Sequence, residues 1–245
     1  MASPTPPLPV VLVTGFARAS SGAADPTGDL LALLAAGPPD SAEVRTQLLP
    51  ADPDGALLKA VEAMDRLLPD AVIALGLASG TGEILIERVA VNTRERGAVV
   101  PPERPEGQRA APRNEPIDAA GPAAYFSTLP VDVMAERLKR ADVPASVSNA
   151  ATLEIGNSLF YALRHYVALR GQETWFQRRP PAGLVSRVGL IRVPPASDRR
   201  ARARAREAGL TLPLDTALRA VTIAIDAAAG YLAAEAATDT RLIPS

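Results

Sequence analysis

Residues 145–166, ASVSNAATLEIGNSLFYALRHY, hold the densest run of side chains able to do chemistry. Small and β-branched residues lead in from Ala145 to Val147, the polar pair Ser148 and Asn149 follows, and a helix-like run ends at Tyr166. That order reads as strand, turn and helix N-terminus. Backbone N–H groups point out of a helix start, which favours an anion or a nucleophile there. Glu154 stands just before the expected helix, where a carboxylate either meets the helix dipole as a cap or faces a pocket. Ser148 and Ser158 are the nearby hydroxyls, and covalent acyl transfer needs a nucleophile beside a base. Ser158 lies about 200° round the helix from Gly156 and should point elsewhere. The single histidine, His165, is displaced from Gly156 by roughly 13 Å along the helix axis. It is expected to be structural, and no base sits beside either hydroxyl.

The elements that must position this stretch follow from hydrophobic patterning. Val10 to Thr14 and Ala71 to Leu75 are short apolar runs that read as buried parallel strands, each followed by glycine, Gly15 and Gly76. Glu43 to Leu49 and Ile84 to Asn92 alternate, and Val188 to Val193 is a further strand closed by prolines. Helices are expected over 26–36, with Asp25 as N-cap and Pro26 at the first helical position, and over 56–68, 131–140, 159–169 and 214–234. Residues 93–122 read as a long loop, and 170–183, with Trp175, as a polar insertion. Alternating strands and helices argue for α/β, a single-domain α/β/α sandwich with a mostly parallel open sheet. It should span residues 9–245 behind a proline-rich, disordered tail at 1–8. The glycine turns after two strands place loops at the carboxyl edge of the sheet, where ligands bind in such folds.

Composition narrows the chemistry. Of 245 residues none is cysteine, which excludes disulfides, thiolate metal sites and a cysteine nucleophile. One histidine makes a histidine-based zinc site unexpected, and no metal or cofactor is implied. The formal net charge of −1 gives no bulk attraction to nucleic acid or an anionic membrane. Arg199, Arg200, Arg202, Arg204 and Arg206 form a basic run without interleaved aromatics, which suits a solvated or oligomer-facing segment. Gly76, Gly80 and Gly82 lack phosphate-loop spacing. The N-terminus has no basic leader with an apolar core, and no apolar run reaches about 18 residues. A cytoplasmic protein that spans no membrane is expected.

Several blocks together resemble one family, the pyroglutamyl peptidases, which are cysteine peptidases. VLVTGF at 11–16, PDAVIALG at 69–76, IERVAVN at 86–92, GPAAYFSTLP at 121–130, VPASVSNAA at 143–151, VGLIRVP at 188–194 and LPLDTALRAVTIAID at 212–226 come in the family's order. The resemblance implies its open α/β/α fold and a homo-oligomer, dimer or tetramer. It also implies a site of Cys, His and Glu. On this sequence the Glu position matches Glu87, the Cys position falls on Gly156 and the His position on Arg192. The ring-binding phenylalanines match Phe16 and Ala19, and Leu77 stands where the family has Gln. Asn149 and Asn157 complete the expected substrate-binding set.

Glu87, Arg192 and Glu154 are therefore the candidate catalytic residues. A partly buried carboxylate suits acid–base work, and a guanidinium suits a carboxylate or oxyanion. Equally, Glu87 pairs with Arg192 and does no more. The expected partner is a small organic molecule bearing an acid or carbonyl, turned over by cyclisation, isomerisation or non-covalent hydrolysis. The other reading is a non-catalytic binding or oligomer partner.

Overall fold

The computed structural model describes residues 7–17, 25–96, 113–177, 187–197 and 209–239. In chain order these form β1 (Val10–Phe16), α1 (Thr27–Ala36), β2 (Glu43–Leu49), α2 (Pro53–Leu67), β3 (Ala71–Leu77), β4 (Ile84–Glu87) and β5 (Val89–Val91). There follow β6 (Arg94–Arg96), β7 (Arg113–Glu115), β8 (Ala124–Phe126), α3 (Val131–Arg140), β9 (Ala145–Ser148), α4 (Ile155–Gln177), β10 (Arg187–Val193) and α5 (Leu214–Asp239). The strand AVIALGL has no polar side chain, and it is β3, buried near the middle of a six-stranded sheet of order β2-β1-β3-β10-β4-β9. All pairings in this sheet are parallel except β10 with β4.

Side-chain alternation sorts the core into two layers. Val11, Val13, Ile73, Leu75, Ile191 and Val193 face one way, onto α1, α3 and α5. Leu12, Val72, Ala74, Val188 and Leu190 face the other way, onto α2 and α4. Period-two strands with both faces covered are what a parallel sheet requires, and the expected sandwich follows. Leu214–Thr238 is long and apolar enough to cross a membrane by length and composition, contrary to the expectation drawn from apolar runs. In this fold its Ala217, Val221, Ala224 and Ile225 are instead buried in the core.

Some expectations are corrected. Ile84 to Asn92 is two strands. The chain leaves the main sheet at Arg88, whose N–H donates to the Ser148 carbonyl and whose carbonyl accepts from the Ser127 N–H, both at 2.8 Å. Beyond it β5 pairs with β8 in a separate ribbon. Within the expected loop at 93–122, β6 and β7 pair antiparallel. Helix α4 runs through residues expected to begin an insertion, although the Trp175 side chain lies outside the described residues. Gly15 and Gly76 are strand residues instead of turns. At Gly15 a Cβ would lie 3.0 Å from the Thr27 Cβ. Asp25 accepts from the Thr27 N–H at 2.8 Å, while Pro26 occupies the cap position. Helix α2 begins earlier than expected, capped by Asp52, which accepts from the Gly55 N–H at 2.7 Å, with Pro53 in the first turn. The tail at 1–6 and the arginine run at 199–206 lie outside the described residues.

Close packing under β10 yields a prediction. A Cβ at Gly189 would lie 2.5 Å from both Leu129 Cδ1 and Ser127 Oγ. Gly189→Ala is expected to destabilise the fold by about 1–3 kcal/mol, as overpacking does. Urea denaturation of the two forms measures it.

Candidate active-site cleft

Strand register brings Glu87 and Arg192 together. In the antiparallel pair, Leu190 stands opposite Glu87 and Arg192 opposite Leu85. Glu87 and Arg192 are thus diagonal neighbours on one face, within reach of long side chains. Arg192 Nη1 lies 3.4 Å from Glu87 Oε1, and both residues are buried. On its other side Arg192 stands opposite Gly76 of β3. A Cβ at Gly76 would lie in ordinary contact, 3.7 Å from Arg192 Cγ and 3.8 Å from the Gly156 Cα. Arg192 Nε donates to the Leu77 carbonyl at 3.0 Å, and Nη2 donates to Glu154 Oε2 at 2.9 Å. Every guanidinium nitrogen therefore has a partner within the chain.

Arg192 and Glu154 line a cleft of about 360 Å³ together with Phe16, Ala17, Asp25, Ala51, Pro53, Gly76, Leu77, Ile155 and Gly156. The cleft sits where β1 and β3 end and α4 begins, at the carboxyl edge of the sheet. Gly156 presents only backbone to it. Phe16, Leu77, Glu154, Gly156 and Arg192 were expected from the sequence, whereas Glu87, also expected, does not line the cleft and is buried behind Arg192. Ala51 and Pro53 were missed, although Asp52 followed by Pro53 is a legible helix start.

Other candidates go elsewhere. Asn157 does not line the cleft and serves as a clamp. Its Oδ1 accepts from the Val91 N–H at 3.0 Å, and its Nδ2 donates to the carbonyls of Val91 at 3.0 Å and Thr93 at 3.1 Å. It holds β5 against α4 because β5 has left the main sheet and its inner edge needs partners. Asn149 is exposed, and its Oδ1 accepts from Arg88 Nε at 3.1 Å. Ala19 lies outside the described residues. Ser148 donates to the Ala150 carbonyl at 3.3 Å, and Ser158 is buried away from the cleft lining. His165 is held between the Tyr125 hydroxyl, 2.7 Å from Nδ1, and Asp118 Oδ2, 3.1 Å from Nε2. It lies stacked against Tyr161 and ties the turn before β8 to α4. Among the described residues no group of three or more His, Asp or Glu is placed to hold a metal ion.

Burial pushes the Glu87 carboxyl above its ordinary value of 4.5, and the nearby Ser148 hydroxyl and the Arg192 charge pull it only part of the way back. Its Oε2 is buried and has no hydrogen-bond partner among the described residues. A carboxyl with a raised folded pKa contributes stability fully below the unfolded value, and that contribution is lost as pH rises through the folded value. Glu87→Gln is neutral throughout. Its Tm relative to wild type is therefore expected to climb as pH rises from about 4.5 toward neutrality. Thermal melts across that range check this, and a difference that stays flat contradicts the raised pKa. Asn157→Ala, which strands backbone groups of β5, is expected to destabilise the fold by roughly 2–3 kcal/mol, read by denaturant titration.

Comparison with known proteins places this geometry. The pyroglutamyl peptidase family model matches residues 10–231. Pyrrolidone-carboxylate peptidase 2 of Photorhabdus laumondii is 33% identical over 218 residues, covering 89% of this chain and 90% of that protein. The pyrrolidone-carboxylate peptidase of Streptomyces coelicolor is 37% identical over 158 residues, covering 64% and 70%. The crystal structure of pyroglutamyl peptidase I from Bacillus amyloliquefaciens superposes with a TM-score of 0.70 at 29% identity, covering 90% of this chain and 95% of that one. By the family-model match over most of its length and its likeness to these relatives, this chain belongs to the pyroglutamyl peptidase family.

Proposed function

We propose that the chain uses the family cleft without a thiol. The carrying observation is the Glu87–Arg192–Glu154 ion network beside Gly156, whose backbone is all that it offers to the cleft. With no cysteine in the sequence, a thioester intermediate has no sulfur to form on. Among the described residues, neither Ser148 nor Ser158 is bonded to the lone histidine. In this reading the substrate is a small organic acid or carbonyl compound. Glu87 exchanges a proton with it, helped by the burial that raises its pKa. Arg192 stabilises negative charge that develops on it. Cyclisation, isomerisation and hydrolysis without a covalent intermediate all fit.

One observation favours a second reading. All three guanidinium nitrogens of Arg192 are satisfied by the chain itself, as in a non-catalytic binding or oligomer partner that has kept the scaffold. The open cleft and the raised Glu87 weigh toward the enzyme.

Mass spectrometry of a panel of small carbonyl and carboxylic compounds, incubated with the protein, separates the two. The enzyme reading expects one compound to be consumed, with the rate falling roughly 100-fold or more in both Glu87→Gln and Arg192→Lys. Consumption indifferent to both changes dismisses this site. Competent release of aminomethylcoumarin from its pyroglutamyl amide dismisses the thiol-free account.

A further inference from the structure

The three attachments of Arg192 are unequal. The bond from Nε to the Leu77 carbonyl and the pairing of Nη1 with Glu87 lie inside the sheet, and Glu87 is 2% exposed. These two set the position and plane of the guanidinium. The third partner, Glu154, stands on the residue before α4, and its side chain is 47% exposed. Its Oε1 has no partner among the described residues. An ion pair with one half-solvated member is weak, because water competes for the carboxylate and screens the charge.

We propose that Glu154 is an exchangeable occupant of a carboxylate subsite, and that a ligand carboxylate takes its place against Arg192. This rests on the reading of the cleft as a small-molecule site, and it names the ligand class. Two carboxylates, Glu87 and Glu154, already face the single guanidinium. A further anion is disfavoured while Glu154 stays. Once Glu154 swings to solvent, one carboxylate replaces another and the charge beside Glu87 is unchanged. A guanidinium edge is shaped for such a group. Behind the subsite the walls are the apolar side chains of Phe16, Ala17, Ala51, Pro53, Leu77 and Ile155, with one further carboxylate, Asp25, which accepts from the Thr27 N–H. The volume of about 360 Å³ is at the small end for ligand pockets. The ligand is thus a small carboxylic acid with an apolar body. Glu87 is not the member that leaves, since its carboxylate is buried within the sheet.

The test uses 4-methylpentanoate and its amide, which share a body and differ in charge, titrated calorimetrically into wild type and Glu154→Gln. The acid is expected to bind the variant roughly five-fold more tightly than wild type, the worth of a weak exposed pair. The amide should bind both forms equally. A crystal of the wild-type complex should show the ligand carboxylate within hydrogen-bonding distance of Arg192 Nη2 and Glu154 turned outward. Equal affinities of acid and amide in both forms overturn the exchange and leave a ligand cleft standing, as does a complex in which Glu154 keeps its bond to Arg192. No heat from either probe in either form overturns the exchange and the ligand cleft together.

Discussion

A guanidinium held inside a β-sheet is the constraint from which the rest of this site follows. Arg192 sits on the one antiparallel seam of an otherwise parallel sheet, and its charge is removed from water. Such a group is tolerable only when paired and hydrogen-bonded. Glu87 supplies the buried counter-charge, the Leu77 carbonyl takes Nε, and Glu154 closes the third position. Removing Arg192 or Glu87 would leave its buried partner without a counter-charge, so these two are better regarded as one unit, with Glu154 as its half-exposed third partner. Gly76 on the neighbouring strand and Gly156 in the first turn of α4 flank the side chain and present only backbone to it.

The same crowding shapes the cleft. Because α4 begins almost on top of the sheet, its first residues form one wall, and the ends of β1 and β3 form the floor. The β5–β8 ribbon is held off the main sheet yet tied to α4 by Asn157 and, further along, by the His165 cluster. Polar residues that drew attention for their chemistry thus turn out to fasten a strand that has left its sheet. A departing strand exposes backbone donors and acceptors that must be met, and a side-chain amide such as that of Asn157 is well suited to meet them.

Much of the fold was legible in the residues. AVIALGL announces a buried strand because nothing in it asks for water, VGLIRV does so with Arg192 as its one exception, and the family blocks occur in order. The break at Arg88 was hidden, since ILIERVAVN holds no glycine or proline and only tertiary pairing shows that β4 and β5 serve different sheets. Gly15 and Gly76 read as turns because glycine is usually a turn residue. In the structure both lie within strands, and Gly15 marks a close approach to Thr27, a signal that sequence alone does not separate from a turn. Within the site, Glu87, Glu154 and Arg192 were found, but their mutual bonding was open, because diagonal contact depends on the register of β10 against β4. Asn157 was misjudged for a similar reason: its partners come from a strand distant in sequence.

The buried guanidinium is the claim on which this account stands, and side-chain NMR of Arg192 tests it most directly. With the Nε–H resonance assigned through its loss in Arg192→Lys, the account predicts a slowly exchanging proton and hindered rotation of the guanidinium at neutral pH. A rapidly exchanging, freely rotating group, such as a solvated arginine gives, would contradict it.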